Sequence, residues 1–285
     1  MTYTIIIVAR PMRLSSCPLH ILLFRVVLCF IWVCGIHSYD CIRFKGGGIY
    51  YWWQAGACKY LLENTELMNK QMPVYGTSAG ALSAALFVSG ASMDQAAELA
   101  ISLCEARQVF TRKGGLAGIW GPLIEEWLEE LIPNTISPST LARVNVVVTP
   151  RRIWKGPKLL TNFKTKDELV SGCMASAHIP FFLDKKPWRR CIKDNEMYID
   201  GSFWQFVNGG QPEKYPLNDV HSDVFDLDYS LDTQFVLELQ RSDSSIVKLI
   251  SPDGLYEMMN RGYTYTKTLH QQGKLSDLVK NTVQI

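Results

Sequence analysis

Hydrophobic positions follow two different patterns along this 285-residue chain. From Pro18 to Ile36 they run almost unbroken (PLHILLFRVVLCFIWVCGI), interrupted by His20 and Arg25 and preceded by Arg10 and Arg13. That length is close to the ~20 residues a helix needs to span a bilayer. After Tyr39 short apolar runs alternate with stretches of helical periodicity, which predicts an α/β domain over residues 39–285 behind an N-terminal hydrophobic segment, 1–38. No internal repeat or low-complexity linker divides the domain.

The alternation can be followed element by element. Cys41 to Lys45 reads as a strand running into Gly46-Gly47-Gly48, and a helix from about Tyr50 to Glu63 carries Trp53, Ala57, Tyr60 and Leu61 at helical spacing. Pro73-Val74-Tyr75 predicts a short strand, and Ala79 to Val88 a helix of small residues. Ser92-Met93-Asp94-Gln95 fits a capping box, opening a helix whose buried stripe is Ala96, Leu99, Ala100 and Leu103. Leu123, Ile124, Trp127, Leu128 and Leu131 mark another amphipathic helix, and Val144 to Thr149 a buried strand. Thr165-Lys166-Asp167-Glu168 is a second capping box, for a helix through Ala177 that Pro180 ends. Met197 to Ile199 reads as a strand stopping at Asp200-Gly201. Beyond Asp219 the chain is acidic and less periodic, until a last helix from about Leu255 to Gln271; Asp253-Gly254 before it reads as turn chemistry.

Composition changes this picture little. A formal net charge of +2 leaves no footprint for nucleic acid. The eight cysteines are scattered without a C-x-x-C pair, so they indicate neither a metal site nor a disulfide framework. The N-terminal segment has three readings. A signal peptide would be cut near Gly35 or Ser38. A retained anchor would carry Arg25 near its middle at a cost of roughly 2.5–3.5 kcal/mol. A helix could also lie flat in the interface. Membrane association of some kind is the expectation, with anchor versus cleaved signal left open.

The chemistry concentrates in three short motifs. Gly76-Thr77-Ser78-Ala79-Gly80 is a G-x-S-x-G between a strand and a helix, the context in which a serine sits on a strained turn with its hydroxyl above the sheet. Gly76 and Gly80 are required there because side chains would collide with the flanking strand and helix. The positive end of the following helix suits negative charge developing at Ser78. Gly46-Gly47-Gly48, also at a strand-to-helix turn, exposes backbone N–H groups able to converge on one oxygen, as an oxyanion hole requires. It does not satisfy G-x-G-x-x-G, because Tyr51 holds the last position. Asp200-Gly201 supplies a carboxylate that could serve as base to Ser78, or be a plain turn.

FKGGGIYYWWQAG, VYGTSAGAL and YIDG together are similar, in order and spacing, to the signatures of the patatin-like phospholipase family. The resemblance runs from about Cys41 to Gly201, and NFKTKDELVSGCMASAHIPFF resembles the branch of adipose triglyceride lipase and adiponutrin. It implies a three-layer α/β/α sandwich around a mostly parallel sheet. It also implies a Ser78–Asp200 dyad, oxyanion donors from Gly46, Gly47 and Gly48, an acyl-serine intermediate, and no metal or organic cofactor. The substrate would be an acylglycerol or phospholipid at a membrane or lipid-droplet surface. Two departures stand out: Tyr50 and Tyr51 replace a basic residue and a glycine, and Ser202 follows Asp200-Gly201 where a second glycine is more frequent.

Two alternatives compete. An α/β-hydrolase esterase would use a Ser-Asp-His triad with His221 or His270. A catalytically silent lipid-surface protein is suggested by bulky Tyr51. Two features bear on substrate: Lys185-Lys186-Pro187-Trp188-Arg189-Arg190 suits a lipid headgroup surface or, equally, a solvated loop, and Tyr50, Tyr51, Trp52 and Trp53 could line an acyl channel, with core packing expected for Trp53.

Overall fold

The computed structural model describes residues 39–66, 71–204, 223–241, 247 and 249–275. The N-terminal apolar segment lies outside these, as does His221. Among the described residues no helix is long and apolar enough to cross a membrane.

Parallel pairing forms the centre of the sheet. Strand β1 (Cys41–Phe44) lies between β2 (Val74–Thr77) and β7 (Val224–Leu227), and β2 pairs with β3 (Val144–Pro150), all parallel. The other edge of β3 is shared. Strand β4 (Lys158–Leu160) takes Val146–Val148 and β6 (Met197–Ile199) takes Thr149 and Pro150, both antiparallel; β5 (Arg189–Arg190) pairs with β6. This is the mostly parallel α/β fold expected, with helices flanking the sheet.

The two faces differ. Ile42, Phe44, Val74, Val146 and Val148 join the main apolar core with the helices. The alternate residues Cys41, Tyr75 and Val147 form a small separate cluster beside a bidentate Arg43–Asp226 pair at 2.5 and 2.6 Å. That is the period of two of a pleated strand.

Helix α1 (Tyr51–Asn64) and helix α8 (Pro252–Gln271) touch backbone to backbone: a Cβ on Gly56 would lie 1.8 Å from the Met259 carbonyl oxygen, and one on Gly262 equally close to that of Trp53. Helix α2 (Ala79–Ser89) is buried all round through Val88, which explains its lack of a polar face, and left-handed Gly90 closes it. Helix α3 (Met93–Ala106) is capped by Ser92, whose Oγ accepts from Gln95 N–H at 3.3 Å. Helix α4 (Trp120–Leu131) and the short α5 (Pro138–Leu141) lead to β3. Helix α6 (Lys166–Ser176) is capped by Thr165, while Glu168 reaches back to the N–H of Lys164, one residue beyond a closed capping box.

The region after Asp219, which reads as weakly periodic, holds β7 and helix α7 (Thr233–Arg241). Four residues alternating between half-buried and buried give too short a pattern to register; β7 exists because β1 offers it an edge. The last helix starts at Pro252 with Ser251 as N-cap, so Asp253 and Gly254 lie in its first turn rather than in a turn before it. Cys41, Cys58, Cys104, Cys173 and Cys191 are free thiols.

Candidate active site

The C-terminal ends of β1 and β2 carry the glycine loop and Ser78, the edge of a parallel sheet where ligands generally bind. Ser78 has φ 54° and ψ −124°, a conformation costly for any residue with a Cβ. Its neighbours hold it there by leaving no alternative. A Cβ on Gly76 would sit 2.3 Å from the Gly80 carbonyl oxygen, and one on Gly80 would sit 2.1 Å from that of Phe44. The elbow therefore works only with glycine at both positions.

Ser78 Oγ donates to Asp200 Oδ2 at 2.6 Å, and both residues are buried. Burial pushes the Asp200 carboxyl up to about 6, against the opposing pull of hydrogen bonds from Ser78 and from Ser202. Ser202 N–H donates to Asp200 Oδ1 at 2.8 Å, so the residue that departs from the family pattern helps orient the carboxylate.

The end of α6 knits these groups together. Ser176 Oγ accepts from Ser78 N–H at 2.8 Å and donates to the Val147 carbonyl at 2.6 Å. Asp200 N–H bonds the His178 carbonyl and Gly201 N–H the Ser176 carbonyl, each at 2.8 Å. Sequence reasoning missed the roles of Ser176 and His178. Their only signal is position, at the end of a helix whose partners are far away in the chain.

The glycine loop is pinned from several sides. Buried Gln54 donates to the Lys45 carbonyl at 2.6 Å and to the Leu227 carbonyl at 3.3 Å, and accepts from Ser83 Oγ at 2.7 Å. A Cβ on Gly46 would meet Ser202 Oγ at 2.3 Å and Ser78 Cβ at 3.2 Å, so this loop lies directly against the serine. Among the described residues the N–H groups of Gly46, Gly47 and Gly48 have no hydrogen-bond partner.

From Gly48 and Ser78 an apolar cavity of about 140 Å³ extends inward. Helix α3 lines it with Ile101 and Leu103, α4 with Leu123 and Trp127, and the segment leading into α8 with Leu249 and Ile250. Tyr51 and Trp52 form part of the wall, whereas Trp53 is core, its Nε1 donating to Asp232 at 3.2 Å. Tyr50 packs on Tyr229 at 4.2 Å between ring centroids. The Tyr51 ring meets Trp52 and Trp127 edge-on, and its buried hydroxyl has no hydrogen-bond partner among the described residues.

A model of the patatin-like phospholipase family matches residues 43–208, more than half of the chain. The chain belongs to the patatin-like phospholipase family. Patatin-like proteins are lipid-processing enzymes, acyl hydrolases and acyltransferases. Among curated proteins, this chain is 27% identical over 166 residues to the omega-hydroxyceramide transacylase of Homo sapiens, covering 57% of this chain and 30% of that one. The 1-acylglycerol-3-phosphate O-acyltransferase Pnpla3 of Mus musculus is 28% identical over 167 residues, covering 56% of this chain and 38% of that one. The patatin-like chain thus spans less than two fifths of the length of these relatives.

Of the histidines considered for a triad, His270 bonds the Tyr60 hydroxyl at 2.6 Å between α8 and α1. Buried His178 bonds the Lys186 carbonyl through Nε2 at 3.0 Å. The acidic partner that Ser78 Oγ meets is Asp200.

Proposed function

We propose that this protein is a serine lipid acyl hydrolase or acyltransferase working through a Ser78–Asp200 dyad. The observation that carries the reading is the 2.6 Å bond from Ser78 Oγ to a buried carboxylate at the mouth of an apolar cavity. Asp200 takes the Ser78 proton as Oγ attacks an ester carbonyl whose acyl chain occupies the cavity. The N–H groups of Gly46, Gly47 and Gly48 receive the developing oxyanion; such donors are each worth about 10²–10³ in rate. The N-terminus of α2 adds its positive dipole at the same place. The proton then passes from Asp200 to the departing alcohol, leaving an acyl-serine. An incoming hydroxyl, deprotonated by Asp200, attacks the acyl carbon, and the proton passes from Asp200 to Ser78 Oγ as the acyl–Oγ bond breaks. With water the outcome is hydrolysis of an acylglycerol or phospholipid. With a lipid alcohol it is acyl transfer, which the names of both relatives favour as the second reading.

A fluorophosphonate probe tests the dyad. Wild type is expected to label, Ser78→Ala not at all, and Asp200→Asn weakly. Labelling that survives loss of Ser78, or a well-folded wild type that does not label, overturns the assignment. Product analysis with and without a monoacylglycerol acceptor separates hydrolysis from transfer.

A further inference from the structure

The serine site leaves unused a basic and aromatic surface on two neighbouring loops. One is the hairpin tip between β3 and β4, residues 151–157; the other is the turn between α6 and β5, residues 177–188. They meet where the Arg151 guanidinium lies over the Trp188 ring, 5.5 Å from its centroid. Trp154 is 74% exposed and Phe181 66%, values that set both apart from aromatic residues serving as core.

The turn is built to hold Phe181 outward. His178 Nε2 and the Phe181 N–H both bond the Lys186 carbonyl, at 3.0 and 2.9 Å, and the Lys186 N–H bonds Asp184 Oδ1 at 3.0 Å. Within this closed turn Phe181 and Lys185 have φ of 64° and 63°, a backbone region that bulky residues rarely adopt. Strain of this kind persists only where surrounding structure imposes it, and it clusters at functional segments. Here its product is an aromatic ring in water.

Position and charge identify the partner. The hairpin tip leaves the same C-terminal edge of the parallel strands as the glycine loop and Ser78. The turn is bonded to the cavity rim, with Gly118 N–H on the Phe182 carbonyl at 2.6 Å and Gly121 N–H on that of Leu183 at 2.9 Å. Arg151, Arg152, Lys155, Lys185 and Lys186 are exposed and have no carboxylate partner among the described residues. The carboxylates close by are engaged: Asp184 faces Arg189 at 3.6 Å, and Asp194 holds Lys158 at 2.8 Å. A lipid surface without net charge would offer these five cations no electrostatic attraction. An anionic bilayer gives them phosphates, while aromatic rings settle at headgroup depth.

We infer that these two loops dock the protein on an anionic phospholipid bilayer, with Trp154 and Phe181 entering the interface and the cations on the headgroups. This rests on the lipid acyl reading of the serine site, whose cavity the docked face would open towards the membrane.

The test is co-sedimentation of the full-length Ser78→Ala protein with phosphatidylcholine vesicles, with and without about one third phosphatidylserine. The Ser78→Ala background removes turnover from the measurement. The expected result is stronger binding to the anionic vesicles, lost at high salt. In that background Lys185→Asn with Lys186→Gln should cut anionic binding roughly tenfold or more, and Phe181→Asn several-fold. Asparagine tolerates the left-handed backbone, so these variants relieve strain instead of adding it. With an intact Ser78 the same variants should hydrolyse a soluble short-chain ester like wild type. Equal binding to neutral and anionic vesicles, or loop variants that bind like the parent, overturns the proposal. Vesicle binding without any fluorophosphonate labelling of Ser78 would instead sink the catalytic reading and leave the docking surface standing.

Discussion

The floor of the site and the wall of its cavity lie side by side but are built differently. The floor, from the glycine loop through Ser78 to Asp200, is a matter of backbone: Gly76 lies against the main chain of Gly80 and Ala81 at the start of α2, and Gly80 against that of Phe44 and Lys45 at the end of β1. The wall is a matter of side chains. Ile101, Leu103, Leu123 and Leu249 come from α3, α4 and the segment leading into α8, and they leave space unfilled. A protein interior is normally packed close to crystal density, so slack of about 140 Å³ next to Ser78 is a feature to be occupied. Changes in the floor should therefore act as all or nothing, whereas changes in the wall should be graded and should alter which chains are accepted.

The largest expected effect is at Asp200. Asp200→Asn should lower turnover by about 10⁴ or more, read by steady-state kinetics on a short-chain ester. The wild-type rate should rise with pH through about 6, because the base must be ionised to accept the serine proton. Stability moves the other way. The folded state holds the Asp200 proton up to about 6, while the unfolded chain releases it near 3.8, so stability falls as pH rises through that window. The loss is about 3 kcal/mol by neutral pH. Asp200→Asn removes it, so the inactive variant should melt higher than wild type at pH 8; a lower melting temperature would contradict the burial argument.

Gly76→Ala comes next. Its Cβ has only main-chain atoms to displace, and the expected cost is about 3 kcal/mol or more, measured by chemical denaturation, with probe labelling lost even in the fraction that folds. An alanine variant with wild-type stability would break the distinction between floor and wall. On the wall, Ile101→Trp should leave folding and short-chain hydrolysis nearly intact and shift preference to shorter acyl chains by roughly tenfold in kcat/KM. The smallest effect is at Tyr51. Its hydroxyl is buried without a partner among the described residues, so Tyr51→Phe should raise stability by about 1 kcal/mol and change activity less than about twofold.

Much of the floor is legible in the amino-acid sequence. Gly46-Gly47-Gly48, Gly76-Thr77-Ser78-Ala79-Gly80 and Asp200-Gly201 each stand at the end of an apolar run that forms a strand, and local pattern suffices to place them. What brings Asp200 onto Ser78 is not legible there. It depends on the side chain of Ser176 and on the carbonyls of Ser176 and His178, at the end of a helix that carries no catalytic signature. Tyr51 shows the same limit. A bulky residue in place of glycine reads as an obstruction, but its ring instead lies against Trp52 and Trp127 as cavity wall.

Most of the strands and helices up to Asp200, the elbow and the glycine loop follow from the chain's own local rules: periodicity, caps, and places where only glycine fits. The pairing of β7 with β1, the burial that raises the Asp200 carboxyl, and the cavity assembled from α3, α4 and residues 249–255 arise only in the folded molecule. Those features depend on which distant segments exclude water from one another, and no local window of the chain contains that information.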